Sequence, residues 1–240
     1  MTLALDRPSG LWHRPSDNLI IEEAKTVYRD LPIKPGDVLL DLGAHIGAVS
    51  RMALDRGAAR VIALEPDPSS MRVLRRNLRD RRATALWAAV GARSGRARLY
   101  THPGRPFLST MLANERGRRI VSVPVIGLAE LLKTYRPTVV KCDIEFGEYD
   151  LPQLRALPDF VRVLAMEVHI RWDLVFRHRE QSPDELLAQR QQAADLIAAI
   201  EAQGFAAVRR KDKRGTGSRK ATDETGLPAS VKSIDAIWTR

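Results

Sequence analysis

The sequence has a single cysteine, Cys142, among its 240 residues. One thiol forms no internal disulfide and rules out a cysteine-built zinc site. Long apolar runs are missing too. Stretches such as Val38-Leu39-Leu40 fall far short of the ~20 residues a membrane-spanning helix needs. The opening Met1-Thr2-Leu3-Ala4-Leu5-Asp6-Arg7 has no basic segment followed by a long apolar one. No secretory signal is therefore expected, and a cytoplasmic location is the expectation. No internal repeat and no linker divides the chain, which favours one domain.

Hydrophobic residues make up 44% of the chain, enough for a full core and too many for a disordered chain. Lys and Arg number 39 against 29 Asp and Glu, a net charge of +10, and 31 of the 39 are Arg. Such a charge suits acidic partners: nucleic acid, phosphorylated molecules or an anionic surface. An Arg-rich, Lys-poor composition is equally what a GC-rich genome produces.

Residues 1–17 read as an irregular lead-in. The spacing of Leu19, Ile20, Ala24, Val27 and Tyr28 predicts a helix over about 18–30, ended by Pro32. Strands and helices then alternate. Strands are expected over Val38–Leu42, Val61–Leu64, Ala85–Val90, Thr138–Cys142 and Val161–His169, with added short ones over Ala97–Tyr100 and Val121–Val125. Helices are expected over Gly47–Arg56, Pro68–Arg79, Gly127–Lys133 and Tyr149–Ala156, and a long one from Ser182 or Asp184 to Gly204. Two last strands, Phe205–Arg209 and Ser233–Trp238, flank a polar loop. The alternation predicts an α/β fold with a mostly parallel sheet, helices on both faces and a C-terminal antiparallel hairpin.

The stretch Asp41-Leu42-Gly43-Ala44-His45-Ile46-Gly47-Ala48-Val49-Ser50 leaves a predicted strand and enters a predicted helix. Glycine there lets backbone approach a ligand, and the helix start offers free N–H groups. A dinucleotide fingerprint beginning at Gly43 needs glycine at 45 and 48, where His45 and Ala48 stand. What remains suits a nucleoside with an amino-acid tail, whose ammonium Asp41 is expected to reach. Glu65-Pro66-Asp67-Pro68 follows the next strand, 24 positions past Asp41. A carboxylate at this strand tip can accept both hydroxyls of a ribose.

These residues resemble the FkbM-type S-adenosylmethionine-dependent methyltransferases. The family's D-x-G-A-N-x-G-x-x-S is met by Asp41 to Ser50, with His45 for the usual Asn. Its E-P-x-P and L-x-x-N-L are met by Glu65–Pro68 and Leu74–Leu78, and its A-V-G-x-x-x-G by Ala89 to Gly95. Its K-x-D-x-E-G-x-E resembles Lys141 to Glu148, except that Phe146 stands where the family has glycine, with Gly147 one step later. The resemblance implies a Rossmann-like class I methyltransferase with a seven-stranded sheet over residues 35–240, preceded by a lead-in and packing helix over 1–34. It implies S-adenosylmethionine as cofactor, held by Asp41, Gly43, Ala44, His45, Gly47, Ser50, Glu65, Pro66, Asp67, Ala89 and Asp143.

Methyl transfer to oxygen needs alignment and removal of a proton. Asp143, Glu145 and His169 are the candidate catalytic residues, with His169 as the candidate general base because imidazole titrates near neutral pH. Asp143 and Glu145, and likewise Glu167 and His169, are two apart and share a side of an extended strand. This mixed set is also one a hard divalent ion accepts, and no metal is predicted from it. Lys141 is expected to be structural or a carboxylate partner.

Two basic clusters remain. Arg72, Arg75, Arg76, Arg79, Arg81 and Arg82 are expected on the outer face of a helix and its exit. Residues 209–220 are expected to form a flexible basic loop, either solvated or covering the site and holding an acidic acceptor. The expected activity is O-methylation of a small molecule, a sugar or natural product. Nucleic-acid methylation is the alternative, without an N-P-P-Y-like motif or an aromatic-rich surface strand to support it. A non-catalytic nucleotide-binding module is a third reading. The oligomeric state is not legible.

Overall fold

In the computed structural model, residues 3–102, 109–111, 119–170, 181–214, 225, 227 and 231–240 are described. The lead-in is not wholly irregular: Ala4–Asp6 (β1) and Leu11–His13 (β2) pair as an antiparallel hairpin. Helix α1, Asn18–Thr26, is followed by a 3-10 turn, Tyr28–Asp30. Then come β3 (Val38–Leu42), α2 (Ala48–Asp55), β4 (Arg60–Leu64) and α3 (Pro68–Asn77). Next are β5 (Ala83–Leu86), β6 (Ala89–Gly91), β7 (Gly95–Thr101) and β8 (Arg119–Gly127). The chain ends with α4 (Leu128–Tyr135), β9 (Val139–Cys142), β10 (Val163–His169), α5 (Pro183–Glu201), β11 (Ala206–Arg214) and β12 (Val231–Thr239).

Seven strands form one sheet in the order β11-β12-β10-β9-β3-β4-β5. All neighbours from β10 to β5 are parallel, and β12 runs antiparallel to both β10 and β11. This is the class I methyltransferase arrangement, with the C-terminal antiparallel pair. Period-2 alternation sorts the core into two layers. Leu40, Leu42, Ile62, Leu64, Val140 and Cys142 face α4 and α5. Leu39, Val61, Ala63, Val139 and Val163 face α1, α2 and α3. Order along the chain reverses between β3 and β9, and such switch points open a crevice at the carboxyl ends of the strands.

Three further expectations change. The predicted strand over Ala85–Val90 is two strands: β5 ends the large sheet, and β6 joins a three-stranded sheet, β6-β8-β7. The break is a tight turn in which the Ala88 N–H donates to the Leu86 carbonyl (3.0 Å). The predicted helix over Tyr149–Ala156 is instead two 3-10 turns, Gly147–Asp150 and Pro152–Arg155. Pro152 has no N–H to continue a helix and steers Leu151 out of the helical region. The basic run Arg209–Arg214 is strand β11, registered against β12, not flexible loop. Residues 215–220 of that expected loop lie outside the described residues. The arginines of α3 and its exit mostly face outward: Arg72, Arg75, Arg76, Arg79 and Arg81 are exposed, while Arg82 turns in to the Leu54 and Ala58 carbonyls (both 3.1 Å).

Candidate active site

A cavity of about 220 Å³ opens at the switch point. Gly43, Ala44 and His45 from the turn after β3 form one part of its lining, with Glu65 and Pro66 after β4 and Ala88–Val90 beside them. Asp143, Ile144 and Glu145 after β9, Glu167 on β10, and Glu23 and Tyr28 from the N-terminal layer form the other.

The turn after β3 is dictated by steric limits. Gly43 has φ +74, and a Cβ there would stand 1.9 Å from the Asp143 carbonyl oxygen. Only glycine lets the β3 and β9 loops touch this closely. His45 also has positive φ (51), a region that Asn and His enter more readily than most residues. Gly47 (φ +85) begins α2, where a Cβ would meet Leu74 Cδ1 at 2.7 Å.

Glu65 anchors the turn. One carboxylate oxygen accepts the His45 N–H (2.8 Å) and the other accepts the Asp67 N–H (2.7 Å). Burial pushes its pKa up to about 8, against the opposing pull of these two N–H groups. The imidazole of His45 points away from Glu65, with Nε2 3.4 Å from Arg14 Nη2 and 3.8 Å from Asp17 Oδ1. Burial lowers its pKa to about 4.

Several residues expected to hold cofactor lie behind the cavity. Asp41 is fully buried and does not line it. Its Oδ2 accepts the Ser50 hydroxyl (2.6 Å), and its Oδ1 stands 3.5 Å from the Lys141 ammonium. Asp41 and Lys141 are register partners on adjacent strands. Lys141 also donates to the Gly43 carbonyl (2.7 Å). Burial opposes its charge, but Asp41 and Asp143 outweigh this and hold its pKa up. The ammonium that Asp41 faces is thus the chain's own. Asp41, Ser50 and Lys141 brace the turn from beneath, and Gly47 shapes it. Asp67 caps α3, accepting the Ser69 and Ser70 N–H groups (2.8 and 2.9 Å), so its carboxylate is spent on the helix start.

Asp143, Glu145 and His169 do come together. His169 Nε2 lies 4.0 Å from Asp143 Oδ1, 3.6 Å from Glu145 Oε2 and 3.7 Å from Glu167 Oε1. Fully buried Glu148 accepts both the His169 backbone N–H (2.7 Å) and Nδ1 (3.0 Å), which fixes the ring. Burial works against an imidazolium, yet Glu148, Glu167 and Glu145 outweigh it and hold the pKa well above the ordinary value. His169 therefore stands as an imidazole oriented by Glu148 within a group of carboxylates. Burial also raises Glu145 to about 8. Glu145 and Phe146 follow each other at positive φ (52 and 72), strained backbone of the kind that concentrates at functional sites.

Three contributors were not assigned to the site from sequence. Glu148 belongs to the K-x-D-x-E-G-x-E-like stretch and was legible as a candidate. Lys213, inside the basic run, points into the cavity, where Glu23 (2.7 Å), Glu167 (2.9 Å) and Asp235 (3.2 Å) surround its ammonium. Glu23 sits on α1, in the stretch read as packing, and no local motif marks it.

A family model described as the methyltransferase FkbM domain matches residues 41–206. The chain belongs to this family. A search of the curated proteins finds no match. Among solved structures, a methyltransferase FkbM from Methylobacillus flagellatus is 18% identical, with a TM-score of 0.46, over 87% of this chain and 46% of that one. A precorrin-6y C5,15-methyltransferase from Geobacter metallireducens is 16% identical, with a TM-score of 0.44, over 91% of this chain and 87% of that one. An N-methyltransferase NodS from Bradyrhizobium japonicum is 11% identical, with a TM-score of 0.46, over 93% and 98%. No helix among the described residues is long and apolar enough to cross a membrane.

Proposed function

We propose that this FkbM-family methyltransferase uses S-adenosylmethionine to methylate a hydroxyl group of a small molecule such as a sugar or natural product. One observation carries the reading: a glycine turn with a carboxylate at the next strand tip shares a single cavity with the carboxylates Asp143, Glu145 and Glu167, against which the His169 imidazole stands. The residues suit the cofactor. Each Glu65 oxygen gives one lone-pair site to a backbone N–H, and an ionised carboxylate has about four such sites. A site remains on each oxygen for one ribose hydroxyl. Gly43, Ala44 and His45 present backbone beside it, and Ala88–Val90 give an apolar wall for a flat base.

When bound, the cofactor supplies a methyl group on a sulfonium for in-line displacement. Asp143 lies where the two halves of the cavity meet and orients the reactants. The acceptor's proton is drawn towards the Asp143, Glu145 and His169 cluster. The lining also bears on the acceptor's charge. Glu23, Asp143, Glu145 and Glu167 outnumber Lys141 and Lys213, and both lysines already have carboxylate partners. A neutral or cationic acceptor fits this lining better than an acidic one.

Calorimetric titration of the chain with S-adenosylmethionine tests the reading. Glu65→Ala removes the acceptor of two hydroxyls, bonds that are charge-assisted once they hold its carboxylate ionised, so affinity falls by the equivalent of ~1.5–3 kcal/mol, roughly ten- to a hundredfold. NAD gives no measurable binding. An unchanged affinity in a folded Glu65→Ala chain, or micromolar NAD binding, overturns the assignment.

A further inference from the structure

Two trios of ligand-type side chains stand at the cavity, and Glu23, Glu167, Asp143 and Glu145 of these line it. Glu23, Glu167 and Asp235 form one, and Asp143, Glu145 and His169 form the other. In each, the potential ligand atoms lie within 4.8 Å of one another. The first trio closes around a cation that the chain itself provides, the Lys213 ammonium, at 2.7–3.2 Å. The second receives no such group from the described residues. Among the described residues its nearest ammonium is Lys141, 3.8 Å from Asp143 Oδ2 and committed to the Gly43 carbonyl.

A second observation concerns the imidazole rather than the carboxylates. The His169 side chain is only 8% exposed. Its Nδ1 is engaged by Glu148 at 3.0 Å, while Nε2 makes no hydrogen bond among the described residues and points at three oxygens. An ionised N–H···O pair contracts to about 2.7–2.9 Å. The oxygens around Nε2 instead stand off at 3.6, 3.7 and 4.0 Å. Ligands about 2.1–2.5 Å from a shared ion sit roughly 3.0–3.6 Å from their neighbours and further from the ligand opposite. A carboxylate on the remote nitrogen is also the usual way a metal-binding histidine is oriented, and Glu148 occupies that place.

We propose that Asp143, Glu145 and His169 bind a divalent cation, with Glu167 Oε1, 3.7 Å from His169 Nε2, as a fourth donor. Two or three carboxylate oxygens with one imidazole suit Mn²⁺ and its neighbours better than a thiophilic ion. A cation here acidifies an oxygen that binds to it. Its use on the acceptor hydroxyl rests on the methyl-transfer reading above, whereas the site stands on the geometry alone. The sequence assigned no metal because these residues are spread over two strand ends, without the close spacing of a metal motif.

Electron paramagnetic resonance tests it. The signal of free aqueous Mn²⁺ is followed as the purified chain is added, with circular dichroism of every variant as the check on folding. One Mn²⁺ binds per chain. His169→Ala and Asp143→Asn each weaken binding at least tenfold, and Glu148→Gln weakens it about ten- to a hundredfold. Glu23→Gln, in the trio already closed by Lys213, leaves binding within about twofold, well under that range. Failure to bind Mn²⁺, or full binding in folded His169→Ala and Asp143→Asn, overturns the site. A chain that binds S-adenosylmethionine but not Mn²⁺ refutes the site alone, and the reverse result supports the site while refuting the methyl-transfer reading.

Discussion

Phe146 packs its ring against the imidazole of His169, with centroids 5.0 Å apart and planes inclined by 41°. It does so from a left-handed backbone, φ 72, at the position where the family motif carries glycine. Two costs therefore oppose each other. A left-handed non-glycine residue costs roughly 1–2 kcal/mol, and truncating a buried Phe costs about 3–5 kcal/mol. Phe146→Gly is expected to destabilise the protein, because the lost packing outweighs the relieved strain. Phe146→Ala should be worse by about 1 kcal/mol, since alanine loses the ring and keeps the strain. Urea unfolding of both variants checks the order. At an ordinary buried site glycine is the less stable of the two, and finding that order here means the left-handed strain is not stored at residue 146.

The buried pair Asp41 and Lys141 yields a second prediction. The Lys141 side chain is 5% exposed and that of Asp41 is 0%. Removing one charge strands the other, at about 3–5 kcal/mol. Asp41→Asn and Lys141→Met are each expected to cost that much. The double variant should cost less than the sum by about 1–3 kcal/mol, because its second change removes the charge that the first left alone. The measurement is a double-mutant cycle by denaturant unfolding. Costs that add to within about 0.5 kcal/mol mean that the two residues do not act as a pair.

Much of this is legible in the sequence. The parallel strands were visible because each is a short apolar run between turn residues, and Gly43 and Glu65 were visible because the backbone and the strand tip restrict what can stand there. Other features depend on distance in space. Asp41 reads as a ligand contact until Lys141 is placed on the adjacent strand. Lys213 reads as part of a solvated loop until pairing with β12 turns it inward to Glu167 and Asp235. Glu23 carries no local signal, since its role comes from the packing of α1 over the cavity. Pro152 was a warning against the helix predicted over 149–156, and the two 3-10 turns it produces bring Glu148 beneath His169.

His45 gives a pH prediction. Burial, with Arg14 and Lys141 in the same sense, lowers its pKa to about 4, against the opposing pull of Asp17 and Asp67. The unfolded chain takes up this proton near pH 6.5 and the folded one only near pH 4. The stability this neutral ring contributes is thus present above about pH 6.5 and lost as pH falls towards 4, a loss on the order of 3 kcal/mol. His45→Asn restores the family residue, tolerates the left-handed backbone and does not titrate. Wild type should lose more stability than His45→Asn between these pH values, with the two curves parallel above pH 7. Unfolding measured across the range decides it, and parallel curves throughout would sink the assignment.

The basic strand β11 separates small-molecule from polymer substrates. Its sequence suggests a phosphate-binding surface, but much of its charge is internally matched. Arg209 pairs with Asp30, Arg210 with Asp212 (3.1 Å), and Lys213 with three carboxylates. Of the basic residues from 209 to 213 only Lys211 lacks a carboxylate partner among the described residues, and it is exposed. Binding to duplex DNA loses about 0.9 in log affinity per log of salt for each phosphate neutralised. One or two unpaired charges then give a shallow slope, near −1 to −2, and affinity drops only about four- to twelvefold between ~50 and ~200 mM salt. A polymer-binding surface using six or more phosphates loses roughly a thousandfold or more over the same range. We expect the shallow case, measured by fluorescence anisotropy with the whole chain and with Arg209, Arg210 and Lys211 replaced by Ser. Tight binding that falls a thousandfold in the intact chain, and is absent in the triple variant, would favour a nucleic-acid acceptor over a small molecule.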